Sequence, residues 1–173
     1  FNDAFRARVA MLKGLPEPVL QQVFDERVRL TRGARTLVQT MRAGGVYTAL
    51  VSGGFTFFTS RVRDQAGFHM DMSNKLLFEN GALTGIAAEP ILNSGAKLAT
   101  LERLMTEKKI ERAETLAIGD GANDIPMIEA AGLGVAYHAK QAAVAAADAA
   151  ISFGDLTTLL YYQGYRDSDF VSA

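Results

Sequence analysis

The chain has 173 residues, with 18 Lys and Arg against 19 Asp and Glu for a formal net charge of −1, 49% hydrophobic residues, 16 Gly and neither Cys nor Trp. This describes a soluble globular domain with room for a small accessory lobe; the lack of cysteine excludes a disulfide scaffold, a thiolate-held zinc or iron–sulfur centre and a thiol nucleophile, and fits a reducing compartment such as the cytoplasm. Without a Lys/Arg run there is no electrostatic footprint for nucleic acid or an anionic membrane, so the expected partner is a small molecule.

The first stretch reads as a helical hairpin. Phe5, Val9 and Leu12 recur at helical spacing, Gly14 stops the helix, and Pro16 with Glu17 opens a second one striped by Val19, Leu20, Val23, Phe24 and Val28. From about Thr31 helices and strands alternate. An amphipathic segment with Leu37, Val38 and Met41 closes at Gly44-Gly45, and Val46–Val51 reads as a buried strand running into Ser52-Gly53-Gly54 and a helix through Phe57, Phe58, Val62 and Ala66. Asn80-Gly81 between Leu76–Glu79 and Ala82–Thr84 is a hairpin signal.

Asn93-Ser94-Gly95 then caps a helix with Leu98, Leu101, Leu104 and Met105 on one face. Thr115–Ile118 reads as a second buried strand, running into Gly119–Asp124 and a helix with Met127, Ile128 and Ala131. Leu133–Ala136, an Ala-rich helix, Ala149–Phe153 and a final helix capped by Asp155 complete the order. This grammar predicts a mostly parallel sheet with helices on both faces. Even the Ala-rich segment Ala139–Ala150 is interrupted by Lys140 and Asp148 and falls short of the roughly 20 apolar residues a membrane span needs. Phe1–Arg8 carries charges where a secretory leader has an apolar run.

In such a sheet ligands bind beyond the carboxyl ends of the strands, which directs attention to two loops. Ser52-Gly53-Gly54 offers a hydroxyl and unhindered backbone N–H groups suited to a phosphate, although alone it also reads as a tight turn that merely needs glycine. Asp120, Asn123 and Asp124 place two carboxylates and an amide at a strand end, a hard-oxygen set suited to Mg²⁺. An EF-hand is excluded by Ala122 and Ile125, and a dinucleotide fingerprint is only partial and disfavoured, with Asp124 at its third glycine. Lys97, in a first helical turn, opposes the helix dipole and calls for an anionic ligand or a carboxylate such as Asp124, unless it is simply solvated. Arg6 and Arg8 offer guanidinium forks for a carboxylate or form a solvated helix face. His69 and His138 receive no role.

Taken together, Val51-Ser52-Gly53-Gly54-Phe55, Lys97 and Gly119-Asp120-Gly121-Ala122-Asn123-Asp124 resemble the second, third and fourth motifs of the haloacid dehalogenase superfamily, in the right order. Phe1-x-x-x-Phe5-Arg6-x-Arg8-Val9, Asn80-Gly81-x-Leu83-Thr84-Gly85 and Asn93-x-x-Ala96-Lys97 are similar to its phosphoserine phosphatases. The resemblance implies an α/β, Rossmann-like core over 31–173, part of a helical cap over 1–30 and a hairpin flap. It implies that Asp120 binds Mg²⁺, that Ser52, the Gly53 backbone, Lys97 and Asn123 contact phosphate, and that Asp124 secures Lys97. Arg8 matches a cap arginine that holds the substrate carboxylate, and Phe1 a cap aromatic that closes over the ligand. The implied activity is hydrolysis of O-phospho-L-serine through an aspartyl phosphate, the last step of serine biosynthesis, by a cytoplasmic monomer or homodimer.

One departure is serious. Members carry a first motif, Asp-x-Asp-x-[Thr/Ser], whose first Asp is the nucleophile and whose second is the general acid and base, and none occurs upstream of Ser52. That motif ends a strand lying centrally in the family's sheet, without which inner edges stay unpaired. A longer protein is therefore expected. Another phosphomonoester as substrate, or a phosphate-binding module without catalysis, are the alternatives.

Overall fold

The computed structural model describes residues 2–171, Ser94 through its backbone alone. Contacts divide the chain into one unit of residues 1–92 and 166–173 and another of 93–165.

In the first unit, α1 (Asn2–Ala10) buries Phe5 and Val9, one helical turn apart, and α2 (Glu17–Arg27) buries Leu20 and Phe24. Pro18 sits in the first turn of α2, where its missing N–H removes no helical bond. Phe5, Val9 and Leu20 share a core with Leu76, Leu83 and Ile91, so the helical prefix packs on the hairpin of β3 (Leu76–Glu79) and β4 (Ala82–Ala87). Asn80 and Gly81 take φ of 49° and 76°, as a two-residue turn of the Asn-Gly kind requires.

The hairpin is seated, not free. Gly14 N–H donates to the Leu83 carbonyl at 2.8 Å, Leu83 N–H to the Leu15 carbonyl at 2.8 Å and Glu17 N–H to the Gly81 carbonyl at 3.0 Å, so the α1–α2 connection lies along β4. Gly85 permits this approach: a Cβ there would stand 2.9 Å from Lys13 Cβ at a φ of +77°.

The same unit holds α3 (Ala34–Ala43), β1 (Ala49–Phe55), α4 (Thr56–Ala66) and β2 (Met70–Asn74), with β1 and β2 parallel. Two expectations change here. The strand begins and ends later than Val46–Val51 and takes in Ser52-Gly53-Gly54, with a register shift between Val51 and Phe55; and β2 was not foreseen.

The second unit is a parallel sheet in the order β5-β6-β7, from β5 (Leu116–Gly119), β6 (Leu133–Tyr137) and β7 (Ala149–Ile151). Its helices are α5 (Ser94–Lys108), α6 (Ile125–Ala130), α7 (Gln141–Ala146) and α8 (Thr158–Tyr162). Ile128, Val135, Ala143, Ile151, Leu159 and Leu160 are all buried in it. Asn93 caps α5 as expected, its side chain accepting from Ala96 N–H at 3.3 Å. Asp155 does not cap α8: Thr157 holds that position, and the Asp155 carboxylate instead accepts from Thr157 N–H at 2.9 Å. The strand–helix alternation is present, with β1 and β5 each at an edge of its own parallel sheet. No described helix is long and apolar enough to cross a membrane.

Candidate active site

The loop between β5 and α6 is organised around one carboxylate. Asp124 is buried, its side chain 4% exposed, and forms an ion pair from Oδ1 to the Nζ of Lys97, whose side chain is 12% exposed on the first turn of α5. Its other oxygen, Oδ2, accepts the N–H groups of Asp120 and Gly121, both at 3.1 Å. Burial pushes the Asp124 pKa up, but the Lys97 hydrogen bond and charge and the two N–H donors outweigh it and hold the carboxyl below the usual range. This is the partner that a cation at the start of α5 called for.

The approach of Asp124 dictates Gly119. A Cβ there would fall 2.3 Å from Asp124 Cβ, far inside contact distance, so no other residue fits this strand end without moving the backbone. Asp120 is pinned through its main chain as well, its carbonyl accepting from Lys140 N–H at 3.0 Å.

With the backbone fixed, the side chains of Asp120 and Asn123 stand exposed beyond β5. Among the described residues no group of three or more His, Cys, Asp or Glu is placed to hold a metal. Mg²⁺ uses one or two carboxylates and fills its octahedron with water and substrate phosphate, and the exposed Asp120 offers one such carboxylate.

In the first unit, a cleft of about 330 Å³ is lined by Phe5, Arg8, Val9, Leu12, Gly53 and Phe55. Sequence reasoning singled out Arg8 and Gly53 separately; the fold brings them to one cavity. The two arginines of α1 are not equivalent. Arg6 is committed to Glu89, at 2.9 Å from Nη2 to Oε1, and to Asp3, whereas Arg8 is exposed on an otherwise apolar wall with no side-chain hydrogen bond or ion pair among the described residues. The Glu89 carboxyl lies below its ordinary pKa because of the Arg6 hydrogen bond, set against some desolvation.

Ser52 neighbours the cleft, and its Oγ accepts from Gly54 N–H at 3.0 Å. A Cβ at Gly53 would meet nothing within 4 Å, so open space adjoins that backbone. Asp71 is consumed structurally: its side chain, 6% exposed, accepts from Thr59 Oγ1 at 2.6 Å and from Arg63 Nη1 at 2.9 Å. Phe1 lies outside the described residues.

The residue that sequence reasoning missed is Asn74, 2% exposed at the end of β2. Its Nδ2 donates to the Gly53 carbonyl at 2.9 Å and its Oδ1 accepts from Leu92 N–H at 2.8 Å. The alternation Met70-Asp71-Met72-Ser73 was the available signal for this strand.

Known proteins carry the same arrangement of sequence. The profile of haloacid dehalogenase-like hydrolases matches residues 1–129. The chain is 40% identical over 159 residues to a phosphoserine phosphatase of Archaeoglobus fulgidus, a match covering 92% of this chain and 46% of that protein. It resembles the unliganded crystal structure of a probable phosphoserine phosphatase from Vibrio cholerae with a TM-score of 0.88 and 38% identity, covering 92% of this chain and 49% of that one. A substrate-bound phosphoserine phosphatase complex matches with a TM-score of 0.87 and 34% identity over 94% of this chain and 77% of that one. The chain thus spans about half the length of the Archaeoglobus and Vibrio proteins.

Proposed function

Because the chain belongs to the haloacid dehalogenase-like hydrolase family, we propose that the protein it forms is a Mg²⁺-dependent phosphoserine phosphatase of the cytoplasm, acting on the free small molecule. The observation that carries the substrate assignment is Arg8 beside Gly53 in one apolar cleft, a lone guanidinium free to grip a carboxylate next to a backbone open to a phosphate. The reaction takes O-phospho-L-serine and water to L-serine and inorganic phosphate, breaking the phosphorus–oxygen ester bond.

Each residue has a role in that reading. Arg8 holds the substrate carboxylate. Ser52, the Gly53 backbone, Lys97 and Asn123 hold phosphoryl oxygens as charge redistributes during transfer. Asp124 holds the Lys97 ammonium in place through their ion pair. Asp120 would hold Mg²⁺, which when bound offsets phosphate charge so that an anionic nucleophile can approach. The attacking carboxylate and the general acid belong to the Asp-x-Asp motif of the family, outside these residues, and the phosphoryl group passes through an aspartyl phosphate before water releases it.

The test is phosphate release by the full-length protein from a panel of phosphomonoesters, with Mg²⁺ and with chelator. The reading predicts Mg²⁺-dependent turnover with O-phospho-L-serine preferred. Turnover that favours another ester would reassign the substrate, and phosphate binding without turnover would make this a binding module.

A further inference from the structure

Ser52 and Gly53 sit at the register shift inside β1, where the backbone is held from behind by one buried side chain. Asn74 uses both ends of its amide, donating from Nδ2 to the Gly53 carbonyl at 2.9 Å and accepting at Oδ1 from Leu92 N–H at 2.8 Å, while its own carbonyl accepts from Thr56 Oγ1 at 3.1 Å. Because a peptide unit is planar and trans, fixing the Gly53 carbonyl also fixes the direction of the Gly54 N–H on its far side. That N–H is the group donated to Ser52 Oγ at 3.0 Å. An acceptor bond at Oγ from behind leaves the serine's own proton to point elsewhere, as a donor.

We infer that Asn74 is a positioning residue for phosphoryl transfer, acting through the Gly53–Gly54 peptide to hold the Ser52 hydroxyl as a hydrogen-bond donor. The inference rests on the proposed role of Ser52 as a phosphate contact. It requires an amide at position 74, since only an amide supplies a donor to one backbone carbonyl and an acceptor to another N–H in that space. At 2% exposure water cannot replace either bond. The register shift of β1 between Val51 and Phe55 explains the need: the ladder to β2 is interrupted at these glycines, and a side chain takes over from the missing backbone pairing.

The experiment is a double-mutant cycle on the full-length protein with O-phospho-L-serine and Mg²⁺, pairing Asn74→Asp with Ser52→Ala. The carboxylate of Asn74→Asp can still accept from Leu92 N–H but gives nothing to the Gly53 carbonyl. Ser52→Ala should lower kcat about 100-fold, as loss of one preorganised donor does, and Asn74→Asp at least about 10-fold from misplacement. The double variant should fall within about twofold of Ser52→Ala, because the second change removes something already lost. Losses that multiply would overturn the inference while leaving the phosphatase reading intact. A wild-type protein without phosphatase activity would overturn both. Should Asn74→Asp fail to fold by circular dichroism, Asn74→Ser, which shortens the side chain without adding charge, enters the same cycle with the same two readings.

Discussion

Two strand glycines, Gly119 at the end of β5 and Gly53 within β1, solve different problems. At Gly119 space is scarce: a Cβ would collide with Asp124, whose carboxylate is buried and satisfied by Lys97 and two backbone N–H groups. At Gly53 space is plentiful, with nothing within 4 Å of a Cβ, and the nearby charge, Arg8, is unpaired among the described residues. The first glycine serves the interior and the second serves the opening.

This contrast breaks most visibly under Lys97→Ala. Removing Lys97 strands the Asp124 carboxylate in a buried position, and such losses run to about 3–5 kcal/mol, which urea denaturation would register as a lower midpoint. An unchanged midpoint would mean that Asp124 is solvated in practice.

Gly119→Ala should come next. Forcing a methyl against Asp124 at a built separation of 2.3 Å requires backbone displacement, expected at about 1–3 kcal/mol or more. Gly53→Ala, made alongside it, should stay within about 0.5 kcal/mol in stability, since its Cβ enters open space, while impairing phosphate handling. Equal destabilisation of both variants would erase the distinction between the two glycines.

The smallest effect belongs to Arg6 and Glu89. Folding lowers the Glu89 pKa, so any stabilisation is present above its unfolded value and lost as pH falls through the folded one. With side chains 52% and 60% exposed, the pair is screened, and Glu89→Gln should leave the thermal midpoint nearly unchanged at neutral pH as at acid pH. A marked neutral-pH loss would show that Arg6 is held for more than surface charge.

How much of this was legible in the sequence depends on the range of the interactions involved. The Asp120 loop could be singled out because its polar side chains stand close together in sequence, and the Lys97–Asp124 pair because a cation at a helix start needs an anion. The hairpin at Asn80-Gly81 followed from its turn residues, but not its seat along residues 14–17, which depends on contacts across the chain. Strand β2 escaped because its inward-held polar side chains break the apolar pattern: Asp71 is matched by Arg63 and Thr59, and Asn74 by two backbone groups, partners that sequence spacing does not reveal. The two arginines of α1 were indistinguishable until Glu89, 83 positions from Arg6, was seen to take one of them.

Arg8 as the reader of the substrate carboxylate is the claim most worth attacking. The direct measurement compares kcat/KM for O-phospho-L-serine and for O-phosphoethanolamine, which lacks the carboxylate, in the full-length wild type and in Arg8→Ala. The account predicts that the variant loses about 10- to 100-fold on phosphoserine, mainly through KM, as expected for one charge-assisted contact, and little on phosphoethanolamine. Equal losses on both substrates, or no loss on either, would contradict it.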